Sequence, residues 1–204
     1  MPIIMTSNGL TSPAIIEEFF RLRDGFQTAA VVVTADPEYR EKNWKAASAR
    51  DELEHIGFRT EFFDIEYAPP GLLLQYDVVF LAGGNPFHLL DQIRKTNADS
   101  ILRELLAKGK VLSGSSAGSI VLGETIALIQ EFDPQLNDGI GLTDLSGVGL
   151  TSVNLCPHHS RYATRYEKFE ERICMLERAR NIQITRLEDG EAICVGEGGK
   201  TVRI

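Results

Sequence analysis

Gly114-Ser115-Ser116-Ala117-Gly118 follows a short apolar run and precedes a helical stretch, Ser119 to Leu122. A G-x-S-x-G turn between a strand and a helix lifts a hydroxyl clear of the backbone for nucleophilic attack. Small neighbours permit the strained turn, and the N–H groups that follow point at the same spot, where they can hold a developing negative charge. The same five residues also fit a phosphate-binding or chemically idle turn. Their place between strand and helix favours a nucleophile, Ser116.

A serine hydroxyl needs a positioned base, and the chain has four histidines. His55 lies near the end of a charged helical stretch and reads as solvent-facing; His88, after Gly84-Asn85, reads as a structural or surface residue. Pro157-His158-His159 follows the apolar run Val153 to Cys156, at a strand end, where the sites of parallel sheets form. His158 is the first choice and His159 the reserve, because adjacent side chains on an extended chain point apart. That divergence also argues against a zinc site, and no metal is expected.

Glu188 and Asp189, in Leu187-Glu188-Asp189-Gly190, are the acids placed to orient an imidazole, although Asp-Gly also suits a plain hairpin turn. The chain order Ser, His, acid differs from the Ser, acid, His order of α/β-hydrolases. Gly83-Gly84-Asn85 ends another apolar run, and its glycines allow a backbone N–H to approach an oxyanion closely, with the N–H of Ala117 as the second donor.

Elements that alternate between buried strands and amphipathic helices must position these groups. The strands are expected at Ile3 to Thr6, Ala29 to Thr34, Phe58 to Ile65, Asp77 to Ala82 and Val111 to Ser113, with later ones near Val153, Ile182, Ala192 and Val202. Ser12-Pro13 opens a helix with Ile15, Ile16, Phe19, Phe20 and Leu22 on its apolar face; Asp36-Pro37 opens a second that Gly57 stops. A helix or helix pair spans Pro86 to Lys108, and a charged helix runs from about Tyr162 to Arg180. Residues 131–149 carry four glycines, one proline and several acids without a clear period and read as a loop or flap. The alternation predicts an α/β fold, a mostly parallel central sheet with helices on both faces, in one domain over 1–204.

Composition narrows the class of function. Hydrophobic residues make up 43% of the 204 positions, enough for a sizeable core. A net charge of −8 without a basic stripe argues against nucleic acid as a partner. Three cysteines without paired spacing suit a reducing compartment, and the absence of a leader-like or membrane-length segment places the chain in the cytoplasm.

Gly83-Gly84-Asn85 with Phe87 and Leu89-Leu90, the Gly114 to Gly118 turn, and Pro157-His158 together resemble the peptidase E and cyanophycinase family of serine peptidases. The likeness runs from the first strand to the Leu187 to Ile193 segment, and chain length favours the peptidase E branch. It implies a class I glutamine amidotransferase-like, flavodoxin-like three-layer fold. It implies Ser116 as nucleophile, His158 as base, and oxyanion donors at Gly84 and Ala117. The family acid aligns without gaps on Asp189, and a one-residue shift makes it Glu188. The branch implies cleavage of dipeptides with N-terminal aspartate, yet the position matching the aspartate-reading arginine holds Phe169; Arg161, Arg165 and Arg172 are the substitutes in the same segment. Glu131 matches an acid that contacts the substrate amine or supports the histidine, and Asn85 and His159 complete the candidate substrate contacts. A homodimer fits the family, and the chemistry requires no cofactor. An esterase or amidase with the same Ser116 and His158, or a noncatalytic small-ligand-binding protein on this fold, are the competing readings.

Overall fold

A computed structural model describes residues 3–23 and 25–204 of the chain. Its strands are β1 (Ile3–Thr6), β2 (Thr28–Val32), β3 (Arg59–Phe63), β4 (Val78–Leu81), β5 (Val111–Ser115), β6 (Asn154–Cys156), β7 (Ile184–Arg186), β8 (Ala192–Val195) and β9 (Thr201–Arg203). Its helices are α1 (Pro13–Arg23), α2 (Trp44–Ile56), α3 (Pro86–Lys95), α4 (Ala98–Ala107), α5 (Ala117–Leu122), α6 (Ala127–Phe132), α7 (His159–Arg165) and α8 (Phe169–Arg180). Seven strands form one sheet in the order β3-β2-β4-β5-β1-β8-β9. The first five run parallel, and β8 and β9 add antiparallel pairs at the β1 edge.

Alternation along each strand sends side chains to opposite faces. Val79 and Leu81 join Ile3, Met5, Ala30 and Val32 in a core with Phe87, Leu90 and Ile93 of α3, Leu102 and Leu105 of α4, and Ile120 of α5. Val78, Phe80 and Ala82 join Ile4, Val31 and Val33 against Ile15 and Phe19 of α1 and Ala49, Leu53 and Ile56 of α2. The result is the expected three-layer α/β arrangement. Burying a side chain the size of Phe19 or Phe80 stabilises the fold by about 1.5–3 kcal/mol. Among the described residues no helix is long and apolar enough to cross a membrane.

Several boundaries differ from the sequence reading. Asp36 does not start a helix: its carboxylate accepts from the N–H groups of Glu38 and Tyr39 and closes a turn, and Asn43 caps α2 by accepting from Lys45 N–H at 2.8 Å. Phe20 is 45% exposed because the buried face of α1 is the narrower Ile15–Phe19 stripe. The strand expected to break at Gly114 continues to Ser115. The helix expected from Tyr162 to Arg180 is two, α7 and α8, broken where Tyr166 turns extended and Lys168 takes a left-handed conformation (φ 51). The strand near Val153 stays outside the main sheet: β6 pairs with β7, parallel, in a small second sheet. Leu128, Phe132, Cys156, Phe169, Ile173 and Ile184 form a separate core beneath it.

The 131–149 segment is largely irregular, as expected, but it is strapped down. Arg94 of α3 donates to the carbonyls of Asp144 (2.9 Å) and Ser146 (2.6 Å), Arg103 of α4 donates to those of Val148 and Gly149, and Leu136, Ile140, Leu142 and Leu145 pack on the first core. The segment is a fixed cover for α3 and α4.

Between β5 and α5 the backbone packs without room for a side chain. A Cβ at Gly118 would lie 2.0 Å from the Leu81 carbonyl oxygen, and one at Gly114 would lie 2.5 Å from the Gly118 carbonyl carbon. Gly71, by contrast, has open space around it. Gly118→Ala is therefore expected to cost about 3 kcal/mol or more and lower Tm by about 6–12 °C, while Gly71→Ala leaves Tm within about 2 °C. Thermal unfolding of the two variants beside the parent checks this, and equal Tm values would contradict the packing described.

Candidate active site

Ser116 occupies the turn between β5 and α5 with φ 50 and ψ −111, a conformation that costs a non-glycine residue about 1–3 kcal/mol. Its N–H donates to the Thr6 carbonyl at 3.1 Å, and the Ser119 hydroxyl donates to the same oxygen at 2.8 Å. The end of β1 thereby pins both sides of the turn.

His158 stands just beyond β6, in a left-handed conformation (φ 54) that starts α7. Its ring is directed at two groups: Nε2 lies 3.1 Å from Ser116 Oγ, and Nδ1 lies 2.5 Å from Asp189 Oδ1. Ser7 ties this pair together. Its hydroxyl oxygen accepts from the His158 N–H at 2.8 Å, and the hydroxyl donates to Asp189 Oδ1 at 2.9 Å. Asn8 supports the acid's turn by accepting from the Gly190 N–H at 2.8 Å.

Glu188 turns the other way. Its carboxylate accepts from His159 Nδ1 (2.9 Å) and from the Ser160 N–H (3.1 Å), capping the start of α7, while His159 Nε2 also meets Glu170. The adjacent histidines diverge as expected of neighbours, and each takes a different member of the adjacent acid pair.

These surroundings set the charge states. Burial holds the His158 imidazole below its ordinary pKa; Asp189 opposes that shift, and the cations Lys45 and Arg161 add to it. For Asp189, burial works against ionisation, but the hydrogen bonds from Ser7 and His158 and the charge of Arg161 keep its carboxyl below the usual range. His159 is also partly desolvated, yet Glu170 and Glu188 raise it above its ordinary value. Burial pushes the Cys156 thiol up to about 12, so it stays protonated at neutral pH and is no rival nucleophile.

The glycine turn expected opposite Ser116 is in place. A Cβ at Gly83 would lie 3.4 Å from Ser116 Cβ, and one at Gly84 (φ 153) would meet the Ala35 carbonyl oxygen at 2.3 Å. Gly84 is thus held against β2's continuation by a contact only glycine allows. Ala117 is the first residue of α5, so its N–H has no partner within the helix.

The remaining candidates are elsewhere engaged. Asn85 caps α3, accepting from the N–H groups of Phe87 and His88, and donates to the Leu136 carbonyl at 2.6 Å. Phe169 is 4% exposed and packs against Phe132, Tyr166 and the His159 ring, which makes it a core residue. Arg172 is paired with Glu131 at 2.8 Å and stacks over Phe132; Arg165 is paired with Asp133 at 3.0 Å. Glu131, Arg165, Phe169 and Arg172 are absent from the lining of the cavity beside His158, where Arg161 is present. Residues whose part in the site the sequence reading did not identify are Thr6, Ser7, Asn8 and Lys45. Small polar residues at the end of a buried strand and directly after it were the available signal for the first three.

Comparison with known proteins supplies the family. The model of Peptidase family S51 matches residues 7–203. The chain belongs to Peptidase family S51. An uncharacterized peptidase of Listeria monocytogenes, Lmo0363, is 28% identical over 173 residues, which cover 83% of this chain and 82% of that protein. Peptidase E of Shewanella oneidensis is 32% identical over 94 residues, covering 46% of this chain and 38% of that protein. Two crystal structures share the fold: a Listeria monocytogenes EGD-e protein named for Peptidase E (TM-score 0.77, 24% identity, 100% of this chain and 97% of that one) and a peptidase from an acI-B1 Actinobacterium (TM-score 0.75, 17% identity, 100% and 86%). The S51 peptidase is accordingly a serine-type peptidase, and the resemblance carried by its glycine turns and Pro157-His158 is one of family membership.

In the S51 peptidase the two adjacent histidines are expected to titrate apart, His158 below about 6.5 and His159 above it. Ring carbon NMR on labelled protein reads both. Glu188→Gln should lower the His159 midpoint and Asp189→Asn should lower that of His158; the reverse assignment would overturn the pairing.

Proposed function

We propose that the chain, as one catalytic domain, is a serine exopeptidase that hydrolyses short peptides through Ser116, His158 and Asp189. The observation that carries this reading is the continuous chain of contacts from Ser116 Oγ to His158 Nε2 at 3.1 Å and from His158 Nδ1 to Asp189 Oδ1 at 2.5 Å, in a member of a peptidase family.

The steps follow from the charge states. A neutral His158 takes the Ser116 proton at Nε2 as Oγ attacks the scissile carbonyl carbon. Negative charge on the carbonyl oxygen is met by the N–H groups of Gly84 and Ala117, fixed in advance by the Ala35 contact and the start of α5. His158 passes its proton to the departing amine, the C–N bond breaks, and an acyl-enzyme remains. Water, deprotonated by the same imidazole, releases the acid and returns Ser116 to its starting state. Asp189 holds the tautomer that leaves Nε2 free to accept and stabilises the imidazolium between steps. Glu188, engaged with His159 and Ser160, supports α7 instead. The free cysteines Cys156, Cys174 and Cys194 are in keeping with a reducing, cytoplasmic setting.

The acid assignment separates cleanly by mutation. Asp189→Asn is expected to lower kcat on the order of 10⁴-fold, and Glu188→Gln by less than about tenfold. Ser116→Ala should abolish turnover and labelling by a serine-directed phosphonate. A panel of dipeptides with N-terminal Asp, Glu, Asn, Leu and Lys supplies the substrates. Turnover that survives Ser116→Ala would sink the proposal, and preference for simple esters over every peptide would turn it toward an esterase.

The pH dependence has a definite sign. Only neutral His158 accepts the Ser116 proton, so kcat/KM should rise with pH and reach half its plateau below about 6.5. A midpoint above that value, measured across pH 4.5–8 on one dipeptide, would contradict the burial argument.

A further inference from the structure

The two histidines after β6 meet the two acids after β7 pairwise. His158 Nδ1 lies 2.5 Å from Asp189 Oδ1, and His159 Nδ1 lies 2.9 Å from Glu188 Oε1. Backbone bonds join the same segments, from the Leu187 N–H to the Cys156 carbonyl at 2.9 Å and from the His159 N–H to the Leu187 carbonyl at 3.2 Å. The first pair reaches Ser116; the second has no part in the proton transfers described above. His159 uses both ring nitrogens, since Nε2 meets Glu170 of α8. Carboxylates only accept, so two such contacts require the doubly protonated imidazolium. A neutral ring must turn a lone pair to one carboxylate and lose that bond.

The two acids differ in what else holds them. Glu170 keeps Arg186, 3.1 Å away, which is itself paired with Glu177 at 2.6 Å. Among the described residues His159 is the one cation within 4.0 Å of Glu188, which also accepts from the Ser160 N–H at 3.1 Å. From α8 the His159 ring also faces Phe169, with centroids 5.7 Å apart, and Arg161 of α7 turns to Asp189 instead. The two acids hold the His159 imidazole above its ordinary pKa against partial burial, so the ion pairs contribute stability below about 6.5 and lose it as pH rises through the folded midpoint. Once His159 is neutral, one contact is gone and Glu188 stands without a counter-charge next to Asp189, the group that orients His158. We propose that His159 is a positioning residue: its imidazolium clamps Glu170 and Glu188, keeps the Glu188-Asp189 turn aligned on His158, and by its deprotonation sets the alkaline limit of turnover. The inference rests on the reading of Ser116, His158 and Asp189 as the triad.

Measuring kcat on one dipeptide from pH 6 to 9.5, beside ring carbon NMR of His159, reads the clamp. In the parent enzyme kcat is expected to fall about tenfold through the His159 midpoint, the effect of one hydrogen bond to a charged group. His159→Gln, which keeps one donor without the charge, should be about tenfold slower than the parent below that midpoint and show no alkaline fall. His159→Arg, charged throughout this range, should stay within about threefold of the parent plateau and hold that rate to pH 9. A fall that persists in His159→Gln belongs to another group, the substrate amine included, and overturns the proposal. So does a parent profile that stays flat through the His159 midpoint, or a loss in His159→Arg as large as that in His159→Gln, which would make the role one of packing. If neither variant folds, the parent alone decides. The Nδ1 proton that His158 shares with Asp189, seen by proton NMR, should shift at the His159 midpoint. That signal needs no turnover and separates the two readings. A shift without Ser116-dependent cleavage would retain the clamp and remove the triad, whereas cleavage with a fixed signal would remove the clamp alone.

Discussion

The carboxyl end of β1 fastens the three segments that carry Ser116, His158 and Asp189. The Thr6 carbonyl accepts from the Ser116 N–H and the Ser119 hydroxyl, and the Thr6 hydroxyl donates to the Gly114 carbonyl. One residue on, Ser7 accepts from the His158 N–H and donates to Asp189. These bonds lie in buried or half-buried surroundings, where each lost partner leaves a polar group without solvent and costs about 1–3 kcal/mol. A strained serine, a left-handed histidine and an acid on a turn would each relax alone; joined at one strand end, they hold one another in place.

Electrostatics then divides two pairs that look equivalent along the chain. His158 is buried at 7% exposure and keeps company with one carboxylate and two cations, so it favours the neutral form. His159, more open and flanked by Glu170 and Glu188, favours the charged form. The first environment suits a proton acceptor at neutral pH, and the second suits an ion pair that secures the start of α7. Likewise Asp189 and Glu188 are both carboxylates at a turn, yet only the shorter side chain meets the imidazole facing Ser116.

Around this centre, the small β6-β7 sheet and its own core carry His158 and Asp189 as a unit toward the main sheet. Phe169 belongs to that core, where it packs against Phe132. The cations that line the cavity beside His158, Lys45 and Arg161, come from α2 and α7.

The α/β layering was legible in the sequence because strands buried on both faces are continuous apolar runs, and amphipathic helices between them leave a 3.6-residue imprint. Ser116 and His158 were legible for a related reason: a strained turn demands small neighbours in sequence, and parallel sheets gather polar residues at their strand ends. Which of Asp189 and Glu188 meets the His158 imidazole depends on the direction of each side chain, which the sequence does not carry. The same holds for the removal of Phe169, Arg165 and Arg172 from the cavity, for the strapping of residues 131–149 by Arg94 and Arg103, and for the bridging by Ser7. Each depends on groups far apart in the chain that meet only after the sheet order β4-β5-β1 is assembled. Local sequence specifies period, turns and caps because those energies are local; which acid meets which imidazole is decided by the packing of distant segments.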